Sequence, residues 1–269
     1  MNELGVSGST ILSDEKRIEQ LFEYGLSHIE IGEFKSKKEY HNFLNRVSNS
    51  LVSFAVHSPI IRGRSKYDII EHVHYSPQYA IEQIAKEAKE VKADGGKYLL
   101  VHFPFFAGAC SGDADIIIED GLKKLKEIQD EAGIKIVCEP KLGAGKSPKG
   151  IEYLHAFPVE TWAKYGLKIC IDIGDYVMAA GDERALEYID KWRDFIKVVH
   201  LHNVDYDGED YFWKPMHPDD EGDGHHKMEH IVKHLAELDN IYFVMEHTPH
   251  GGYGMEYVME GVRWVEEML

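Results

Sequence analysis

The chain has 269 residues, of which 43% are hydrophobic and 29% are charged, and it carries a formal net charge of -17. This length and composition are typical of a soluble globular protein with a large core, and either one α/β barrel or two small domains would fit them. The acidic balance argues against non-specific attraction to nucleic acid or to an anionic membrane, because both need a basic surface.

The amino end and the cysteines indicate a cytoplasmic protein. The first ten residues, MNELGVSGST, lack the basic region and apolar stretch of a secretory signal, and no apolar run approaches membrane-spanning length. The three cysteines are an odd number without the CxxC spacing of metal sites, so a disulfide framework is not expected.

Short apolar runs recur along the chain, separated by segments with the apolar spacing of helices. Eight of these runs are predicted strands: LGVSGST (4–10), HIEIGEF (28–34), FAVHSPI (54–60), YLLVHFPF (98–105), KIVCEPK (135–141), KICIDIGD (168–175), KVVHLHN (197–203) and YFVMEHT (242–248). Ser36, which begins a capping box, and Ser76, which precedes a proline, are predicted helix N-caps. Gly133 is predicted to end the helix over 113–132.

The strict alternation of eight strands with helices predicts a parallel sheet closed into a (β/α)8 TIM barrel. There is no low-complexity linker and no break in composition, so a single domain over residues 1–269 is expected. The alternative, an open doubly wound sheet, usually carries a glycine-rich phosphate fingerprint after its first strand. The segment GVSGST (5–10) does not match that fingerprint.

Six polar residues share the inward face of the predicted barrel near the carboxyl ends of their strands. Residues two apart on a strand share a face, so Val137 and Glu139 face one way and Cys138 the other. The same parity places six side chains inside: His57, His102, Glu139, Asp172, His200 and Glu246. One such residue is often only a satisfied buried group, but six at the rim where barrel active sites form favour a functional site.

A divalent metal ion would explain the convergence of these six side chains. Three carboxylates and three imidazoles near one point would repel one another or leave charge buried unless a cation lay among them. Mixed imidazole and carboxylate ligands suit Zn²⁺, Mn²⁺, Co²⁺ or Fe²⁺ better than Ca²⁺. We therefore expect a divalent metal cofactor, with one or two ions per chain.

Several motifs accompany these residues: HSPI (57–60), VHFP (101–104), CEP (138–140), IDIGD (171–175), VVHLHN (198–203), the glycine pair of DEGDG (220–224) and MEH (245–247). With them the chain resembles the xylose isomerase-like barrel superfamily over essentially its whole length. That superfamily holds sugar and sugar-phosphate isomerases and epimerases together with the AP endonuclease family 2, or endonuclease IV-like, nucleases. The resemblance implies a metal-dependent enzyme.

The resemblance also implies roles for the six residues. In the ketose epimerases of the superfamily one metal ion is held by four residues on the fifth to eighth strands, which correspond here to Glu139, Asp172, His200 and Glu246. The two glutamates are also the acid/base pair of those enzymes. In the nucleases, a further zinc is held by histidines on the third and fourth strands. These histidines correspond here to His57 and His102.

Two positions depart from the family pattern. Relatives in both branches commonly have a histidine three residues after the sixth-strand aspartate, where this chain has Asp175. The nucleases need Asp-x-His before the glycine pair for a third zinc, and this chain has Pro215, Met216 and His217 there. The resemblance therefore does not extend to a three-zinc nuclease site.

Five further residues are predicted to contact the substrate: Glu30, Arg62, Lys141, Asp175 and His202. Lys141 directly follows the rim at the fifth strand. Arg62 lies in a basic loop, IIRGRSKYD (60–68), where a guanidinium suits a phosphate or carboxylate. For Glu30, a buried structural carboxylate is an equally good account.

Trp213, after the seventh strand, is a candidate for packing on a sugar face or for closing the site, and plain loop packing explains it equally well.

These observations favour a metal-dependent isomerase or epimerase of a small sugar or sugar phosphate. Glu139 would remove a proton beside the carbonyl, and Glu246 would return or remove one on the opposite face. The alternatives are an endonuclease IV-like zinc phosphodiesterase and a lyase or dehydratase on the same scaffold. The expected partner is a small carbohydrate rather than nucleic acid or a membrane, and a homo-oligomer remains open.

Overall fold

The computed structural model describes residues 1–207, 210–221 and 226–269. Seven strands come first: β1 (Glu3–Ser7), β2 (His28–Ile31), β3 (Ser53–His57), β4 (Tyr98–His102), β5 (Lys135–Glu139), β6 (Lys168–Asp172) and β7 (Ile196–Leu201). An antiparallel hairpin of β8 (Asn203–Asp207) and β9 (Asp210–Lys214) then precedes β10 (Tyr242–Met245). Strands β1 to β7 and β10 form a closed parallel barrel, which confirms the predicted (β/α)8 fold.

Helices surround the barrel, in the connections between strands and after β10. They are α1 (Ile18–Glu23), α2 (Lys37–Ser48), α3 (Pro77–Ala93), α4 (Ala114–Ala132), α5 (Lys149–Ala156), α6 (Val159–Ala163), α7 (Ile173–Ala180), α8 (Asp182–Trp192), α9 (Glu229–Ala236) and α10 (Met255–Glu266). The predicted caps are confirmed, because the Ser36 and Ser76 side chains accept backbone N–H groups at the starts of α2 and α3. Gly133 ends α4 with a left-handed φ of 66°. In the described part of the chain, no helix has the length and apolar character that crossing a membrane requires.

An apolar layer fills the barrel below its carboxyl-terminal rim. Its members are Ala55, Tyr98, Leu100, Val137, Cys170, Val198, Tyr242 and Val244. Each of these precedes an inward-facing rim residue on its own strand by two or four positions, as the two-residue period of a strand requires. The polar residues at the rim therefore rest on a packed layer that is mostly apolar.

All eight strands of the barrel end two or three residues before the ends of the predicted apolar runs, and two differences from the prediction bear on the site. The predicted sixth strand extends to residue 175, but β6 ends at Asp172, because the Asp172 carboxylate accepts the backbone N–H of Asp175 and caps α7. The segment containing Trp213, predicted as a loop, is strand β9 of the hairpin. Both differences depend on contacts that the spacing of apolar residues does not predict. These are the Asp172 cap of α7 and the pairing of β9 with β8.

Glu87 on α3 holds the segment that follows β3. Its Oε2 accepts the Ser58 hydroxyl at 2.6 Å, and its Oε1 accepts the Ile60 backbone N–H at 2.7 Å. Burial raises the pKa of Glu87 from 4.5 to about 7, since these hydrogen bonds only partly compensate for desolvation. The carboxyl group is therefore easier to protonate in the folded state than in the unfolded state.

This raised pKa predicts a pH-dependent stability. The contribution of Glu87 is fully present below about pH 4.5 and is lost as the pH rises through about 7, because folding must then bury a charged carboxylate. Between pH 5 and 8, we expect the wild type to lose about 2 kcal/mol more free energy of unfolding than Glu87→Gln. Urea unfolding at each pH measures this difference. Glu82→Gln, a change away from the buried face of the same helix, is the control, and parallel curves for wild type and Glu87→Gln would contradict the prediction.

Candidate metal centre

The structure brings together four residues from the carboxyl ends of adjacent barrel strands. Glu139 ends β5, Asp172 ends β6, His200 lies on β7 and Glu246 directly follows β10. All four are buried, with Glu246 the most exposed at 2%. One ligand atom from each lies within 4.8 Å of every other. The inward parity predicted from the sequence thus produces a compact group of three carboxylates and one imidazole.

His57 and His102 form a second group with Glu139. The Nε2 atoms of the two histidines are 3.0 Å apart, and they lie 3.4 and 3.2 Å from Oε2 of Glu139. Burial lowers the pKa of His102 to about 4, although Glu139 opposes this, so the ring is neutral at physiological pH. Glu139 therefore offers ligand oxygens to both of these groups.

The donor atoms fit a divalent cation. Oε2 of Glu139 and Oε2 of Glu246 are buried and, in the described part of the chain, accept no hydrogen bond of acceptable geometry. Imidazole nitrogens lie 2.6 to 3.4 Å from these oxygens but are not aligned to donate. Buried carboxylate oxygens without donors are costly, and a cation among them would satisfy both.

Glu30 and His200 are held together below this centre. Oε1 of Glu30 lies 2.9 Å from Nε2 of His200, whose Nδ1 lies 2.6 Å from Oε2 of Glu246. Burial opposes protonation of His200, but the surrounding carboxylates outweigh it and raise its pKa well above the usual value. Glu30 is completely buried and holds the His200 ring, and it also offers a ligand atom in a group with His57, His200 and Glu246.

Sequence reasoning missed a polar chain that continues from Glu30 through the barrel interior. The Tyr98 hydroxyl donates to Oε2 of Glu30 at 2.7 Å, and Nε2 of His28 lies 3.2 Å from that hydroxyl. Nδ1 of His28 lies 2.8 Å from Oγ of Ser53. The signal was present in the sequence, because His28, Tyr98 and Ser53 share the inward parity of the rim residues on their strands.

Lys141 lies among carboxylates beside the centre. Its Nζ is 2.5 Å from Oδ2 of Asp172, 2.9 Å from Oδ2 of Asp175 and 3.4 Å from Oε1 of Glu139. Burial lowers the pKa of Lys141, but these carboxylates outweigh it and hold the pKa well above the usual value. The Trp213 ring covers the ammonium group, with its centroid 4.8 Å from Nζ.

His202 and Asp175 both contact Asp172. Nε2 of His202 lies 2.7 Å from Oδ1 of Asp172, and that oxygen also accepts the Asp175 N–H. The His202 ring lies so close to α7 that a Cβ added at Gly174 would be 2.0 Å from it. Both residues are at most 1% exposed, so their contacts with Asp172 are shielded from solvent.

A cavity of about 240 Å³ opens above the centre. His57, His102 and Glu246 line it near the centre, and Arg62, Lys66 and Trp213 also contribute to its walls. Three of its lining residues have left-handed backbone conformations without being glycine: Leu12, Ser13 and Glu33. Such conformations cost free energy and are typical of functional sites.

The positions of the nuclease motif, His217 and the glycine pair, do not add ligands to the centre among the described residues. Gly222 and Gly224, the predicted glycine pair, lie outside the described residues. His217 stacks on Tyr257 with 3.7 Å between ring centroids, and its Nε2 lies 3.5 Å from Glu260. His217 is thus engaged by α10.

A closed parallel barrel with polar side chains gathered at its carboxyl-terminal rim defines the class, a (β/α)8 barrel of the type whose rim carries active sites. Residues 18–268 match the family model described as Xylose isomerase-like TIM barrel. The chain belongs to this family. No curated protein matches the chain in sequence.

Solved structures with a similar fold include enzymes of two kinds. A D-tagatose 3-epimerase-like protein is 18% identical, with a TM-score of 0.66 and 98% of each chain covered. The 3-keto-D-glucoside 4-epimerase YcjR from E. coli is 14% identical, with a TM-score of 0.67, 99% of this chain and 100% of that chain covered. Endonuclease IV from Thermus thermophilus is 18% identical, with a TM-score of 0.60 and 99% and 98% covered. At these identities the likeness concerns the fold.

Proposed function

We propose that the chain is a divalent-metal-dependent isomerase or epimerase of a small sugar or sugar phosphate. The observation that carries the proposal is the convergence of Glu139, Asp172, His200 and Glu246 with two buried carboxylate oxygens left without hydrogen bonds among the described residues. Two structural neighbours, a 3-keto-D-glucoside 4-epimerase and a D-tagatose 3-epimerase-like protein, support the same chemistry.

The two glutamates, Glu139 and Glu246, are the proposed groups for proton transfer. A divalent ion held by the four residues would supply Lewis-acid polarisation of the substrate's carbonyl and hydroxyl oxygens. Glu139, whose pKa is held well below the usual value by Lys141 and His200 despite burial, is ionised and removes a proton beside the carbonyl. Glu246 lines the cavity and returns or removes a proton on the opposite face. His57 and His102 either hydrogen-bond substrate hydroxyls or hold a second ion.

The cavity walls favour a substrate with an anionic end. Arg62 is exposed at the mouth, where its Nη2 donates to the Leu12 carbonyl at 2.7 Å, and Nζ of Lys66 lies 3.5 Å from Oε1 of Glu33. Both side chains bring positive charge to the cavity of a chain whose net charge is -17. A phosphate or carboxylate on the substrate would meet Arg62 and Lys66.

Arg62→Ala is therefore expected to raise KM for a phosphorylated substrate by about threefold to fivefold, with kcat little changed, because a solvent-exposed charge contact is lost. The KM of the matching unphosphorylated sugar should change little. Steady-state kinetics on both substrates measure the difference. Arg64→Ala is the control, since Arg64 lies in the same loop but does not line the cavity. Equal effects of Arg62→Ala on both sugars would contradict an anionic end.

A zinc phosphodiesterase of the endonuclease IV type is the second candidate. The grouping of His57, His102 and Glu139 favours it, because these residues offer a place for a further ion. The net charge of -17 and the contacts of His217 speak against binding DNA through the nuclease ligand set. A lyase or dehydratase shares the first proton abstraction and differs only in the product.

One experiment separates these reactions. The chain is stripped with a chelator, reloaded with Mn²⁺, Co²⁺ or Zn²⁺, and incubated in D₂O with a panel of ketoses and ketose phosphates. We expect ¹H NMR to show metal-dependent loss of a proton signal beside the carbonyl, together with an epimeric or isomeric product. Cleavage of abasic-site DNA without any sugar turnover would replace this proposal with the phosphodiesterase, and loss of water from a sugar would replace it with the dehydratase.

A further inference from the structure

A further group of ligand atoms, from Asp172, Asp175 and His202, lies beside the four-residue group of Glu139, Asp172, His200 and Glu246. Asp172, Asp175 and His202 each offer one ligand atom within 4.8 Å of the others, and all three are buried. Two carboxylates and an imidazole are a ligand set that a divalent cation takes readily. Asp172 also belongs to the four-residue group of the centre, so the two groups share one ligand residue.

A positive charge already lies in this further group. Nζ of Lys141 is 2.5 Å from Oδ2 of Asp172 and 2.9 Å from Oδ2 of Asp175. Lys141 lies two residues after the end of β5, whereas Asp172 ends β6 and Asp175 lies in α7. Its ammonium group also lies 3.4 Å from Glu139 of the four-residue group. Three buried carboxylates around one ammonium group reproduce the charge arrangement expected around a metal ion.

The surroundings hold the ammonium group in place. The Trp213 ring lies over Nζ at 4.8 Å and stacks on the His202 ring, with 4.7 Å between those two ring centroids. Lys141 is only 8% exposed. The hairpin that carries Trp213 thus closes the further group over the lysine.

We propose that Lys141 is a built-in cation that takes the place of a divalent ion in the Asp172, Asp175 and His202 group. The inference deepens the proposed metal centre and rests on it. The lysine keeps Asp172 oriented for the four-residue group while excluding an additional ion. The chain therefore holds one divalent ion fewer than its ligand atoms allow.

Removing the ammonium group should open this group to metal. Wild type, Lys141→Ala and Lys141→Ala/Asp175→Asn are stripped with a chelator, equilibrated with Co²⁺ and desalted, and bound cobalt per chain is counted by elemental analysis. We expect Lys141→Ala to bind one Co²⁺ ion more than the wild type. The double variant should return to the wild-type count, because the extra ion needs the Asp175 carboxylate. Asp175→Asn alone should match the wild type.

A second measurement shows whether the missing ammonium group itself, and not a change in the fold of Lys141→Ala, admits the extra ion. Propylammonium has the structure of the deleted side-chain end, so adding it should displace the extra Co²⁺ from Lys141→Ala and leave the wild-type count unchanged. Equal counts in wild type and Lys141→Ala, or an extra ion that persists without Asp175, would overturn the inference about Lys141. A wild type that binds no Co²⁺ would instead overturn the proposed metal centre.

Discussion

Glu139→Gln is expected to lower kcat by about 10³-fold for the substrate that the sugar screen identifies, because the residue is the base for proton abstraction. The change should also weaken metal binding, since Glu139 offers oxygens to both groups of ligand atoms in the centre. Initial rates at saturating substrate, measured over a range of metal concentrations, separate the loss of turnover from the loss of metal.

Glu33→Gln is the matched control for this change. Glu33 lines the cavity above the centre, but its carboxylate lies 3.5 Å from Lys66 and does not belong to the ligand groups found among the described residues. We expect the Glu33 variant to keep most of the wild-type turnover. Equal losses in both variants would show that the cavity needs negative charge in general and would contradict a specific role for Glu139.

Gly174→Ala should destabilise the fold strongly, although alanine usually favours a helix over glycine by about 1 kcal/mol. The added Cβ would lie 2.0 Å from Cε1 of His202, so the ring must move away from Asp172. Overpacking and the loss of a charge-assisted hydrogen bond together predict a cost of about 2–4 kcal/mol. Urea unfolding of the metal-free chain measures this cost.

A double-mutant cycle with His202→Ala isolates the cause. When the imidazole is absent, the alanine at position 174 has space, and the cost of Gly174→Ala should largely disappear. If the cost is the same in both backgrounds, the close approach of His202 to α7 does not explain the glycine.

The barrel and its rim could be predicted because both follow from local patterns. Eight apolar runs with intervening helical segments specify a closed parallel sheet, and the two-residue period of a strand specifies which side chains face inward. Glu139, Asp172 and His200 need no more than this rule to be placed at the rim. Their grouping into a ligand set came from the resemblance to known barrels.

Other features depend on contacts between distant segments and could not be predicted. The sequence places Lys141 near the rim but does not show that its ammonium group lies between Asp172 and Asp175, because that position depends on how β5 and α7 pack. The hairpin that brings Trp213 over the site follows from pairing between β8 and β9. Helix α7 begins earlier than predicted because one aspartate is both a rim residue and an N-cap.

Elemental analysis tests most directly whether this rim holds a catalytic divalent metal ion. The chain is purified without chelator, dialysed against Mn²⁺, Co²⁺ or Zn²⁺, desalted and compared with Glu139→Gln treated in parallel. We predict at least one ion per chain in the wild type and a clear loss in the variant. A wild-type chain that remains free of metal after loading with each ion would contradict the account.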